Sequence, residues 1–146
     1  LDLGGTSIKA SYAGVRARIE RDRERLPIGR AARRLPDQRE RLCEFMANAI
    51  EQVIAARARP RALVCGLAAE LDFAGVPGRS SYAGMHAGLL DAVLARVGLA
   101  PALVGVLNDA ELAAATVARL PEAAGKTLVI TLGFGIGAAL LAAEPA

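Results

Sequence analysis

Leu1-Asp2-Leu3-Gly4-Gly5-Thr6-Ser7-Ile8-Lys9-Ala10-Ser11-Tyr12-Ala13 is a glycine turn between two strand-like runs. Residues 7–13 alternate across two faces, the period of a half-buried strand. Gly14 marks a further turn. Val15, Ala17 and Ile19 then alternate with Arg16, Arg18 and Glu20 as a third strand. A dinucleotide-binding sheet is wholly parallel and sets its glycine loop before a helix. Here the glycine loop joins two strands, so that arrangement is excluded and the chain opens as an antiparallel meander.

Downstream the periodicity changes. Pro27, Gly29 and Pro36 punctuate a loop, and Asp37 with Glu40 resembles a capping box. Leu42, Phe45, Met46, Ala49, Ile50, Val53 and Ile54 fall on one helical face, and Pro60 closes the segment. Residues 62–68 form a continuous apolar run, as in a buried central strand. Residues 72–84 carry Gly75, Pro77, Gly78, Ser80, Ser81 and Gly84 and read as a long loop. Leu89, Leu90, Val93, Leu94 and Val97 mark a second helix ended by Gly98. Residues 103–107 are a buried strand, residues 110–120 a third helix ended by Pro121, and 126–132 with 136–143 a hairpin. Antiparallel strands followed by βα units predict an α/β fold, a mixed five-stranded sheet with helices on its faces. The last hairpin would begin a second lobe.

A chain of 146 residues supports one ordinary core. At 53% hydrophobic residues it is not disordered, and with 3% aromatics the core is aliphatic. No apolar run reaches the roughly 18 residues of a spanning helix, and the N-terminus lacks the form of a signal peptide. A cytoplasmic location with no membrane partner is expected. The chain opens inside a motif without Met, which reads as part of a longer protein. Residues 16–61 hold 13 Arg against 7 acidic residues. No aromatics interleave with them for base stacking, so a solvated surface is expected and nucleic acid is not. Cys43 and Cys65 have no CxxC spacing or His neighbour and read as free thiols. His86 stands alone and reads as a surface or helix residue.

Three motifs carry chemistry. Asp2-x-Gly4-Gly5-Thr6 and Gly133-x-Gly135-Ile136-Gly137 each follow a strand-like run. Glycine lets backbone amides approach an anion, so two such turns can hold a chain of phosphates from both sides. Asn108-Asp109 lies between them at a strand-to-helix junction, where a carboxylate can act as a base. The structural alternatives are a plain hairpin turn for the first motif and helix capping for the second. Asn108 with Glu111 fits a capping box, and both roles are compatible.

These motifs, in this order, resemble the ROK-type sugar kinases of the sugar kinase–Hsp70–actin superfamily. The stretch from Val106 to Leu140 looks most like the polyphosphate/ATP glucokinase branch. The resemblance implies a ribonuclease-H-like (actin-like ATPase) fold. Residues 1–122 would be the N-terminal lobe and 123–146 the first hairpin of a C-terminal lobe. It implies a kinase transferring a phosphoryl group from ATP or polyphosphate to a hydroxyl of a glucose-like hexose. Gly4, Gly5, Thr6, Gly133, Gly135 and Gly137 would bind phosphate. Asp2 would orient Mg²⁺ through water, and Asp109 would be the base. Asn108 would bond sugar hydroxyls, with Glu70 and Asp72 near the sugar.

Two positions depart from the family pattern. Phe134 stands where a Thr is usual, which removes one side-chain donor, and Ala68-Ala69 replaces a Pro-Gly. The family's metal-binding His/Cys segment lies further along than this chain. The isolated chain is expected to be inactive and to self-associate through the 126–143 hairpin. Two other readings stay open. One is a non-catalytic sugar-binding or regulatory relative. The other is a different superfamily kinase, acting on pantothenate or an acyl-CoA-linked substrate.

Overall fold

Three strands open the chain, as the alternation requires. β1 (Asp2–Leu3), β2 (Ser7–Tyr12) and β3 (Val15–Glu20) form the antiparallel meander. Ala13 and Gly14 both have positive φ, the two-residue turn whose twist matches its strands. The structure, a computed structural model, describes residues 1–54, 60–101, 103–120, 126–132 and 136–141. β4 (Ala62–Leu67) pairs parallel to β1, and β7 (Leu103–Asn108) parallel to β4. The sheet order is β3-β2-β1-β4-β7. This is the expected mixed five-stranded sheet.

Helix α1 (Gln38–Ile54) covers β2 and β3, and α2 (Leu89–Arg96) lies against α1. Leu42, Met46, Ala49, Ile50 and Val53 of α1 are buried with Leu3, Ile8, Cys65, Leu67 and Val93. Each large side chain buried here contributes about 1.5–3 kcal/mol. Burial pushes the Cys65 thiol up to about 11. Asp37 has a φ of 60°, and its carbonyl accepts the Arg41 N–H. That left-handed backbone replaces the extended one a capping box uses, so the capping box expected there is not the geometry found.

Helix α3 (Asp109–Val117) lies across the sheet from α1. Cys65 and Leu67 point into the core, so Gly66 between them faces the other way. A Cβ on Gly66 would meet Leu112 of α3 at 2.5 Å, so α3 sits directly on β4. β8 (Thr127–Leu132) and β9 (Ile136–Leu141) pair antiparallel as a sheet of their own and contact α3.

The expected loop at 72–84 holds more order than its composition suggests. β6 (Pro77–Ser80), inside it, pairs with β5 (Ala69–Leu71) just before it as a short irregular hairpin. Asp72 Oδ1 accepts the N–H groups of Ala74 (2.9 Å) and Val76 (2.8 Å), a side-chain-closed turn that short strands can flank. No helix among the described residues is long and apolar enough to cross a membrane.

Candidate active site

The three parallel strands end level with one another. Leu3 pairs with Leu67, and Leu67 with Asn108. The next residues are Gly4, Ala68 and Asp109, one row at the carboxyl ends of β1, β4 and β7. Asp109 therefore lies two strand spacings from the first glycine turn, roughly 10 Å. Ligands of open α/β sheets bind at this kind of edge.

The first turn is held from behind. Tyr82 Oη donates to the Gly4 carbonyl at 2.7 Å. Arg21 Nε donates to the Gly5 carbonyl at 2.7 Å, and the Arg21 N–H to the Thr6 carbonyl at 2.8 Å. Arg21 Nη1 reaches the Leu26 carbonyl at 2.6 Å. Tyr82 is 2% exposed and Arg21 8%. Burial pushes the Tyr82 phenol up to about 12, opposed by the Arg21 charge. Of the expected phosphate donors, Thr6 is exposed. The Gly4 N–H is already bonded to the Ser7 carbonyl at 3.0 Å.

Sequence reasoning placed Arg21 on a solvated surface, and the structure buries it. The signal was in the register. Ser7 pairs with Glu20, so Arg21 falls opposite Thr6 at the glycine turn. Tyr82, within the stretch read as a long loop, is a buried buttress.

Asn108 and Asp109 start α3. Asn108 Oδ1 accepts the Glu111 N–H and Glu111 Oε2 accepts the Asn108 N–H, both at 2.8 Å, the capping box expected there. This box fixes the rotation of the first helical turn that carries Asp109. Asp109 is exposed, with Oδ1 2.9 Å from the Ala110 N–H. The C-terminal hairpin comes to it. A Cβ on Gly137 would lie 3.1 Å from Asp109 Oδ1, 3.0 Å from Ala110 Cβ and 2.5 Å from Thr131 Oγ1. Only glycine lets the hairpin backbone approach the carboxylate this closely. Thr131 Oγ1 is buried with no hydrogen-bond partner, a feature sequence reasoning missed. Gly133, Phe134 and Gly135 lie outside the described residues.

Asp2 faces Lys9 across the β1–β2 pair, with Oδ2 3.1 Å from Nζ. Among the described residues no group of three His, Cys, Asp or Glu side chains could hold a metal. Asp2 is one carboxylate already facing an ammonium, so these residues do not fit a protein-held metal ion. An open groove of about 600 Å³ runs between Asp2, Lys9, Arg16, Val64 and Leu112. Of the expected site residues it touches Asp2 alone. Glu70 is exposed on β5, while Oδ1 of Asp72 is engaged by its own turn. His86 Nδ1 lies 2.6 Å from the Ala87 carbonyl, a local contact.

No protein-family model matches the chain, and no curated protein matches it. Among solved structures, the chain is similar to the inorganic polyphosphate/ATP-glucomannokinase from Arthrobacter sp. strain KM. The TM-score is 0.69 and the identity 26%, over 97% of this chain and 56% of that one. The chain thus spans little more than half the length of that kinase. Its mixed sheet with flanking helices is the fold of part of a sugar kinase.

Proposed function

We propose that the chain is the N-terminal lobe of a sugar kinase that moves a phosphoryl group from ATP or polyphosphate to a hydroxyl of a glucose-like hexose. The observation that carries this reading is the shared row of strand ends, which sets Asp109 level with the glycine turn and beside Gly137. The likeness to a polyphosphate/ATP glucomannokinase supports it. The sheet order suits a ribonuclease-H-like lobe over residues 1–122. Residues 123–146 would be the first hairpin of a second lobe, whose remainder covers its outer face and completes the donor site.

In this reading the sugar hydroxyl oxygen attacks the terminal phosphorus as the donor's bridging P–O bond breaks. Its proton passes to the Asp109 carboxylate as transfer proceeds. The Asn108 NH₂ group is the donor suited to a neighbouring sugar hydroxyl, and exposed Glu70 follows two residues after Ala68 of the strand-end row. Amides of the first turn and of the Gly133–Gly137 segment would hold the phosphates from two sides. Mg²⁺ would arrive with the donor's phosphates, with Asp2 touching its water shell, and no step here depends on it. Phe134, in place of a hydroxyl side chain, favours a second reading, a sugar-binding relative without turnover.

The test is a coupled assay on the two-lobed protein, with glucose or mannose as acceptor and ATP or polyphosphate as donor. Formation of a hexose phosphate is expected. A folded protein that binds sugar but forms no product with either donor would sink the kinase reading in favour of the second.

A further inference from the structure

Three consecutive carbonyls, those of Gly4, Gly5 and Thr6, accept hydrogen bonds from two residues outside the turn. In a trans peptide unit the C=O and the following N–H point in opposite directions. No peptide bond among the described residues is cis. Pinning the Gly4 carbonyl to Tyr82 therefore turns the Gly5 N–H away from the core. Pinning the Gly5 carbonyl to Arg21 does the same for the Thr6 N–H. Two successive outward amides are donors that an anion over the turn can use.

The charge balance points the same way. The ion pairs among the described residues are Lys9–Asp2, Arg18–Glu20 and Arg96–Glu40, so buried Arg21 has no carboxylate partner there. Its neighbour Asp22 accepts the N–H groups of Glu24 and Arg25 instead. Asp22 feels the Arg21 charge without touching the guanidinium, whose hydrogen bonds go to carbonyls alone, an arrangement that favours an anion on the far side of the turn. Tyr82 also ties the turn to the β5–β6 hairpin. Its N–H donates to Ser80 Oγ, which donates to the Ala68 carbonyl.

We propose that Arg21 and Tyr82 are positioning residues that hold the first glycine turn with its Gly5 and Thr6 amides toward the phosphoryl donor, with Arg21 supplying a charge that the bound phosphates complete. This rests on reading the turn as a phosphate site. The role differs from that of the solvated arginines around it, and neither residue touches the reacting atoms.

The test uses the two-lobed protein, ¹⁵N-labelled, with tripolyphosphate as the probe. In the wild type, tripolyphosphate should shift the Gly5 and Thr6 amide resonances. Tyr82→Phe removes one hydroxyl and should speed exchange of those two amides and weaken tripolyphosphate binding, each by about tenfold. Amides in the strands, such as those of Ile8 and Cys65, should stay protected, which separates turn loosening from unfolding. Arg21→Met should weaken binding further, and Arg21→Lys, which restores charge without the fork, should recover part of the affinity. A merely structural role would leave affinity untouched by the Lys rescue. Unchanged exchange and affinity in Tyr82→Phe, in a chain that does bind tripolyphosphate, would overturn the inference alone. A turn that loosens in the variants but takes no tripolyphosphate in the wild type would overturn the phosphate reading and the functional half of the inference with it.

Discussion

The two glycine turns of the chain rest on different foundations. The first follows the central strand of a five-stranded sheet, and its carbonyls are pinned by two buried side chains. Of the second, the described Gly137 belongs to a two-stranded sheet whose inner face, with Thr131, leans on Asp109 and Ala110. The outer face of that sheet carries Leu128, Ile130, Leu132, Ile136 and Leu140, all exposed, Leu132 and Ile136 by 82% and 81%. One half of the proposed site is thus built into the core. The other is positioned by contact with a single Ala-rich helix. Stability and the proposed phosphoryl transfer should respond separately to substitutions in the two regions.

The largest effect should fall in the first region. Met46 is fully buried beneath the meander, and Met46→Ala should cost about 2–5 kcal/mol in chemical denaturation. If it cost no more than a surface change, the core assigned here would be wrong. Alkaline titration sharpens the contrast. The Tyr82 phenol sits at about 12, above its ordinary value near 10, so its neutral form favours the fold. That contribution is complete below about pH 10 and is lost as pH rises toward 12. Stability should then fall more steeply in the wild type than in Tyr82→Phe, by about 2–3 kcal/mol at pH 12. Cys65, raised to about 11, adds a similar loss at slightly lower pH in both proteins. Parallel curves would remove Tyr82 as a buried brace.

Smaller effects belong to the second region. Gly137→Ala places a methyl against Thr131, Ala110 and Asp109 and should cost about 1–3 kcal/mol. The loss should be local, with faster amide exchange in β8 and β9 and none in β4. Leu132→Ser should change stability by at most about 0.5 kcal/mol. An apolar face of several hundred Å² finds a partner, so the isolated chain should self-associate through it. Light scattering should show that association, and Leu132→Ser should weaken it. A wild-type monomer at high concentration would contradict this use of the hairpin.

Much of the sheet was legible because alternation and glycine placement act locally. Val15-Arg16-Ala17-Arg18-Ile19-Glu20 presents one apolar face whatever surrounds it, and the Asn108–Glu111 cap needs only its own four residues. The β5–β6 hairpin was not legible, because its order comes from the Asp72 side chain closing a turn in a Gly- and Pro-rich stretch. Arg21 was hidden for another reason. Its burial depends on Gly5, Leu26 and Tyr82 meeting in space, and nothing in its neighbours distinguishes it from twelve other arginines between residues 16 and 61. The place of Asp109 at the strand-to-helix junction was legible, and the approach of Gly137 to its carboxylate was not.

In the proposed reaction Asp109 is the base at the shared strand edge. Asp109→Asn keeps size and hydrogen bonding but cannot take a proton. Steady-state kinetics of the two-lobed protein carrying this substitution test the claim most directly. Phosphoryl transfer to glucose should fall by about 10²–10⁴-fold while glucose affinity stays near that of the wild type. A folded Asp109→Asn enzyme with near-normal turnover would contradict the account and leave Asp109 as the first residue of a capped helix.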